Sequence, residues 1–365
     1  MRAAIFTAAA LALLCRPAQP AQAAEAKIVD GEAAAKIDAA LAAAVPAGFG
    51  GAVLVEKGGR IVLEAGYGFA DRERKVPFTT DTIAQIGSIT KSMTAIAVLQ
   101  LAEDGKLDLK AQVRTYLPGA AEPAASATLH QLLTHHAGLA DSCGDDFDPV
   151  SKDDLLRRCM ALALAFPAGE DHYSNMGYSI LAAIVEQVSG ERWQDYLSRN
   201  VWTKLGMSRT GFDAFHGTGP RDFAFGYLDG KRQDLISDSI AKLRGSDWNL
   251  KGNGGVQAST LDMERFWRGL THQTPGISSF VTQSMMTPKE HMDGEAWEGY
   301  GLFVRLDAAG KPYRIGFSGS DGTFFSYFGM LPQQEIFLYI VGNNGEANVK
   351  PLVAATLKAL LPPKP

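Results

Sequence analysis

GSITKSMTAIAVLQLAEDG, residues 87–105, decides how this chain is to be understood. From Ser88 to Ala102 the apolar residues are tightly set, with Met93, Ile96, Ala97 and Val98 among them, and Asp104-Gly105 closes the run. That is the pattern of a helix. Its N-terminal end is polar. Ser88 and Lys91 are three residues apart, and residues so spaced share a helix face, so the Lys91 amine can lie beside the Ser88 hydroxyl. A serine hydroxyl is a weak nucleophile until a base removes its proton. A lysine desolvated by an apolar helix has a lowered pKa and can serve as that base. The helix N-terminus adds backbone N–H groups and a positive dipole that favour an oxyanion. The same residues also describe an N-cap serine with an ordinary surface lysine, so the rest of the chain must separate the two readings.

Two later stretches bear on this. Tyr173-Ser174-Asn175 follows Phe166-Pro167-Ala168-Gly169 and precedes an apolar helix, Tyr178 to Val188, that ends at Gly190. A tyrosine near a lysine can act as general base or proton shuttle, and an asparagine can bond a substrate amide or orient the lysine. Taken alone, the triplet equally suits a packed tyrosine and an N-capping asparagine. Gly316-Phe317-Ser318-Gly319-Ser320 lies at the end of an expected strand. A strand edge beside a nucleophile can hold an extended acyl group and turn a backbone N–H toward its oxygen. The plainer reading is a strand ending in a glycine turn.

Outward from these stretches the elements fall into a simple order. Asp30 to Val45 has Ile37, Leu41 and Val45 at helical spacing and stops at Pro46 and Gly48. Gly51 to Glu56 and Arg60 to Ala65, joined by Lys57-Gly58-Gly59, predict a β-hairpin. Residues 66–86 suggest loop. Leu129 to Thr134, Asp153 to Ala165 and Thr260 to Thr271 suggest helices, and 211–250 is mixed. Tyr313 to Ser318, Thr323 to Met330 and Ile336 to Val341 predict three strands, and Pro351 to Leu361 a last helix. The expected fold is therefore α/β of the α+β type. An antiparallel sheet would be flanked by N- and C-terminal helices, with a mostly helical lobe alongside. The α/β lobe is expected from about 30–87 and 300–365, and the helical lobe from 88–299.

Composition fits an ordinary globular protein, 46% hydrophobic and 21% charged over 365 residues. With 35 Lys and Arg against 40 Asp and Glu the net charge is −5, which argues against nucleic acid as a partner. Met1-Arg2, the apolar run Ala3 to Leu14 and Ala21-Gln22-Ala23 form a secretory leader expected to be cut after Ala23, leaving one domain over 24–365. The apolar run is too short to span a bilayer, so no stable membrane insertion is expected and the location is periplasmic or secreted. Cys15 leaves with the leader. Cys143 and Cys159 remain, and in an oxidising compartment they either pair or stay as two thiols; spacing alone leaves both open. No metal is expected. His130, His135 and His136 lack a spaced carboxylate and are taken as loop or core residues, and His172 is a candidate lining residue of the cleft. Asp145, Asp146 and Asp148 lack the spacing of a calcium loop and are taken as a solvated one.

Several stretches together resemble one family. S-x-x-K followed by two later boxes marks β-lactamases and penicillin-binding proteins. Here Gly87 to Ser92, Leu129 to Leu139 (LHQLLTHHAGL), Pro167 to Asn175 (PAGEDHYSN), Leu205-Gly206-Met207, Gly252 to Thr260 (GNGGVQAST) and Tyr300-Gly301-Leu302 occur in that order. The chain resembles the serine β-lactamase-like superfamily of class C β-lactamases, D,D-peptidases and family VIII-type esterases over residues 34–345. The resemblance implies a β-lactamase/transpeptidase-like fold and no cofactor. It implies that Ser88 is acylated, that Lys91 and Tyr173 move protons and that Asn175 contacts substrate or Lys91. It also implies an oxyanion hole from the N–H groups of Ser88 and Ser320. One position departs. The third box of the superfamily usually has Lys or His, a small residue, then Gly; this chain has Phe317-Ser318-Gly319. Phe317 cannot bind a substrate carboxylate. The expected activity is hydrolysis of carboxylic esters or amides, with small-molecule ester, amide or peptide substrates. β-Lactamase or D-amino-acid peptidase activity is the alternative within the enzyme class, and a non-catalytic binding protein the alternative outside it.

Overall fold

The computed structural model describes residues 27–361 apart from His216, Gly217, Pro220 and Gln273. The expected leader, with Cys15 and the cleavage point after Ala23, lies outside the described residues. Among the described residues nine strands form one sheet: β1 (Ile28–Val29), β2 (Gly51–Lys57), β3 (Arg60–Tyr67), β4 (Glu290–His291), β5 (Ala296–Glu298), β6 (Phe303–Leu306), β7 (Pro312–Ser320), β8 (Phe325–Leu331) and β9 (Ile336–Gly342). Their spatial order is β1-β3-β2-β9-β8-β7-β6-β5-β4, and every neighbouring pair is antiparallel. β2 pairs with β9, so the first hairpin and the last strand of the chain meet mid-sheet.

The β2–β3 hairpin turns at Gly58-Gly59, with φ of 56° and 76°. Both central residues of such a tight turn need positive φ, which glycine adopts without steric cost. Side chains then alternate between two buried faces. Ala52 and Leu54 of β2 and Phe337, Tyr339 and Val341 of β9 join the large core. Val53 and Val55, with Leu338 and Ile340, join a smaller cluster on the other face. That cluster is completed by Ile37 and Leu41 of helix α1 (Glu32–Ala44) and by Val349, Val353 and Leu357 of the last helix. Each such side chain contributes roughly 1.5–3 kcal/mol when fully buried, so covering this face is a main source of stability.

The helical lobe is built on α2 (Thr90–Glu103), which is buried continuously from Thr90 to Leu99. It packs against α3 (Asn175–Ser189), while α4 (Thr260–Thr271) lies against β9 and β2. The last helix, α5 (Glu346–Leu360), covers β8 and β9 on the outer face.

Four local expectations are corrected. Asp153 to Ala165 is not one helix. Helical structure covers Lys152–Asp154 and Leu155–Cys159, the latter with π geometry, and residues 161–166 run exposed outside it. There the N–H groups of Ala165 and Phe166 donate to Gly138 O, so the chain is held by a neighbouring loop in place of helical bonds. Residues 66–86 contain the short strands Phe69–Asp71, Val76–Pro77 and Ala84–Gln85. Three short strands, β4 to β6, precede the expected C-terminal trio. α5 starts at Glu346 and runs through Pro351, because Val349, two residues before the proline, is already buried against the sheet. Among the described residues no helix is long and apolar enough to cross a membrane.

Candidate active site

Ser88 sits in a single 3₁₀ turn, Gly87–Ile89, that runs directly into α2. The turn is pressed against the end of β7. A Cβ on Gly87 would lie 2.6 Å from Ser320 N, and one on Gly319 would lie 1.9 Å from Ile86 O and 2.8 Å from Ser88 N. Only glycine permits this approach, and Gly87 also has φ of 52°. β7 pairs with β6 only as far as Gly316 but with β8 through to Ser320. Residues 317–320 therefore turn one edge away from strand pairing and toward the Ser88 turn. The backbone N–H groups of Ser88 and Ser320 are brought close together there. Ser326 of β8 pins the turn by donating its hydroxyl to Ile86 O, 2.9 Å.

Lys91 is fully buried one turn beyond Ser88, at the start of α2. Its Nζ lies 3.0 Å from Ser88 Oγ, 2.6 Å from Asn175 Oδ1 and 2.9 Å from Asn253 O. Burial lowers its pKa to about 7, against the opposing pull of the Asp141 and Asp146 carboxylates. Two of the three partners, an amide oxygen and a carbonyl, can only accept. A neutral amine gives those two its hydrogens and keeps its lone pair for the one partner able to donate, the Ser88 hydroxyl. Tyr173 donates its OH to Ser88 Oγ at 2.8 Å. Burial raises the Tyr173 pKa, so it stays a neutral phenol at physiological pH.

Asn175 begins α3. The N-cap is Ser174, whose Oγ accepts from Gly177 N, 3.1 Å, which leaves the Asn175 amide free to face Lys91. Asp141 fixes its orientation by accepting from Asn175 N and Nδ2, at 3.2 and 3.1 Å.

The loop that carries Tyr173 is held by the stretch beginning at Leu129. His135, at φ 59°, lies beneath the Tyr173 ring with centroids 4.4 Å apart, and its Nδ1 accepts from Ser174 N. His172 N bonds His135 O, Gly169 N bonds His136 O and Ser174 Oγ bonds Ala140 O. Burial holds the His135 pKa well below its usual value, so the ring is a neutral support. The stretch beginning at Gly252 does the same for α2. Gly252 O accepts from Thr94, Asn253 O from Lys91, and Val256 N donates to Thr90 Oγ1.

The structure therefore brings Ser88, Lys91, Tyr173, Asn175, Gly319 and Ser320 together. Phe317 is elsewhere: 2% exposed, stacked on Phe303 at 4.6 Å and absent from the pocket wall at Ser88. His172 stacks on Phe166 at 3.5 Å. His130 does meet a carboxylate, Glu290, at 2.9 Å, as well as the Tyr300 hydroxyl, a pairing invisible at a separation of 160 residues. Cys143 and Cys159 are joined as a disulfide with Cα atoms 5.3 Å apart. His135, read from sequence as a loop or core histidine, is buried beneath Tyr173, whereas Asp141 and Asn253 were not singled out. Asp141 and Asn253 carry no motif of their own, since one acts through Asn175 and the other through its backbone.

A narrow pocket of about 50 Å³ opens on Ser88 and includes Gln85, Asn253, Ser320, Asp146 and Asp321. It adjoins a wider cleft of about 550 Å³ that shares Gln85, Asp146, Ile236 and Asp321 and takes in Phe147 and Arg232. Burial and mutual repulsion raise the pKa of Asp146, with Lys91 opposing, and burial raises that of Asp321.

Residues 38–361 match the family model described as Beta-lactamase. The chain belongs to the beta-lactamase family. Within it, a Bacillus subtilis (strain 168) protein named for penicillin binding, PbpX, is 28% identical over 267 residues, which is 69% of this chain and 66% of that protein. This chain thus spans just under two thirds of that relative's length. Among solved structures, the penicillin binding protein from Bacillus halodurans is 28% identical with a TM-score of 0.74, covering 87% of this chain and 98% of that one. The class C beta lactamase from Rhodobacter sphaeroides, at 22% identity, has a TM-score of 0.73 over 90% of this chain and 99% of its own and bears on the fold alone.

Proposed function

We propose that this chain is an exported serine hydrolase that forms an acyl-enzyme on Ser88 and acts on carboxylic esters, and secondarily amides. The observation that carries the reading is the buried Lys91 amine, bonded to Ser88 and to two partners that can only accept. In the first step Ser88 Oγ forms a bond to the substrate carbonyl carbon and its proton passes to Lys91 Nζ. The carbonyl oxygen takes the negative charge beside the N–H groups of Ser88 and Ser320. As the carbon–leaving-group bond breaks, the departing oxygen takes the phenol proton of Tyr173, and the Lys91 ammonium, whose Nζ lies 4.8 Å from the Tyr173 ring centre, returns a proton to the phenolate. Water then attacks the acyl carbon as one of its protons passes to Lys91 Nζ, and as the acyl–oxygen bond breaks Ser88 Oγ takes that proton back from Lys91.

The walls of the Ser88 pocket support substrates without a carboxylate. Among the described residues they carry Asp146 and Asp321 and no lysine or arginine, and the superfamily's usual cation is replaced by Phe317, buried on Phe303. A carboxylate-bearing substrate would meet like charge. A β-lactamase or D,D-peptidase reading is favoured by the penicillin-binding names of the relatives. Export is supported by the leader-like N-terminus and by the Cys143–Cys159 bond, since such bonds persist in oxidising compartments. The deciding assay sets a short-chain chromogenic ester beside a chromogenic cephalosporin with the purified protein. Ester turnover with slow or absent cephalosporin cleavage is expected; rapid cephalosporin cleavage without ester turnover would overturn the ester preference.

A further inference from the structure

The outer face of the sheet holds a cavity that the proposed chemistry does not use. α5 covers β8 and β9, and beside it remains a groove of about 370 Å³ walled by Phe303, Phe325, Tyr327, Val353 and Leu357. None of its lining residues is shared with the pocket at Ser88. Two further wall residues are Arg305 of β6 and Arg314 of β7, which stand directly opposite each other across the strand pair. Both are half-buried. Among the described residues neither meets a carboxylate or any hydrogen-bond partner. Elsewhere Arg192, Arg209, Arg232, Arg265 and Arg268 each rest on an acidic side chain. Lys350, which also lines the groove, is matched by Glu346 at 3.2 Å. Like charges directly opposite on antiparallel strands repel, and both guanidiniums act on the same Tyr327 hydroxyl. The groove is thus apolar along its length, with an uncompensated pair of cations in its wall.

We propose that this groove binds a single-chain amphiphile with an anionic head. The head sits on Arg305 and Arg314 within reach of the Tyr327 hydroxyl, and the alkyl chain lies along Phe303, Phe325, Val353 and Leu357. Guanidinium pairs match the planar oxygens of carboxylate and phosphate, and an apolar trough excludes a small inorganic anion as the sole occupant. The inference is independent of the hydrolase reading.

Calorimetric titration of the purified protein with dodecanoate, dodecyl phosphate and dodecanol, each below its micellar concentration, tests it. One saturable site for an anionic amphiphile is expected. Binding should weaken about ten- to a hundredfold in the double variant Arg305→Gln/Arg314→Gln, the loss of a charge-assisted hydrogen bond. It should vanish in Ala354→Trp, which fills the groove from α5. Dodecanol should bind at least about tenfold more weakly than the anions and be indifferent to the arginine changes. Tighter binding of dodecanoate would identify a free fatty acid as the source of the head, and tighter binding of the phosphate a lysolipid-type head; either supports the site. The double variant removes repelling charges, so its circular dichroism melt should match or exceed the parent's and exclude misfolding. No binding, equal binding by parent and double variant, or dodecanol binding as tightly as dodecanoate would overturn the proposal.

Discussion

In the proposed mechanism Lys91 has to be buried to be a base and bonded to be placed, and these demands are met by different neighbours. The apolar length of α2 removes it from water, while Asn175 Oδ1 and Asn253 O fix its position without offering it a proton. With the pKa brought down to about 7, the amine is mostly neutral only above neutrality. Below pH 7 the amine holds a proton and cannot accept one from Ser88, so kcat/KM for an ester should fall about tenfold per pH unit there and level off above roughly pH 8. Lys91→Arg, whose guanidinium does not deprotonate, should lose about 10²–10⁴-fold across the whole range. A flat profile from pH 5 to 9 would show that another group takes the proton. At this scale Ser88 and Lys91 were legible because their separation maps onto one helix face. Asp141 was not, because its contribution passes through the Asn175 amide. Asn253 was not, because it acts by its carbonyl, which every residue has.

Among the elements, the meeting of the Ser88 turn with the end of β7 is the tightest contact of the site. A methyl at Gly319 has nowhere to go, since its nearest neighbours are backbone atoms of residues 86 and 88. Gly319→Ala should therefore push the strand end away from the Ser88 turn. Ester turnover should drop about 10²–10³-fold, the worth of an oxyanion donor, with little change in KM. Steady-state kinetics of that variant check this; unchanged kcat would mean that the two amides do not act together on the oxyanion. The glycine itself was visible in the sequence, whereas the close approach that requires it was not. The same limit explains the segment after Cys159. Its Ala and Leu residues carry good helix propensity, but tertiary bonds to Gly138 hold the chain outside a helix. Propensity within the segment contains no trace of that partner.

At the scale of the whole molecule, the sheet is assembled from both ends of the chain and the large core crosses from sheet to helical lobe without a break. It takes Leu54 from β2, Met93 and Val98 from α2, Ile184 from α3, and Phe266 with Phe337 from α4 and β9. The sheet keeps a smaller cluster of its own under α1 and α5, but the helical lobe has no core apart from the one it shares with the sheet, so unfolding should be one cooperative event. Urea curves followed by tryptophan fluorescence and by far-UV circular dichroism should superimpose; two separated midpoints would contradict a shared core. The two-ended architecture could be expected from a hairpin near the start and strands near the end. β4 to β6 were missed because runs of two to four residues leave too little periodicity to register.

In the proposed mechanism it is Ser88 that carries the acyl group. The direct measurement is acid quenching of the purified protein during turnover of a chromogenic ester, followed by intact mass and peptide mapping, with Ser88→Ala alongside. The account predicts an adduct of the acyl mass on the peptide containing Ser88. The variant should show no adduct and a loss of turnover of about 10⁴-fold or more. An adduct on another residue, or a Ser88→Ala protein that turns over ester as fast as its parent, would contradict it.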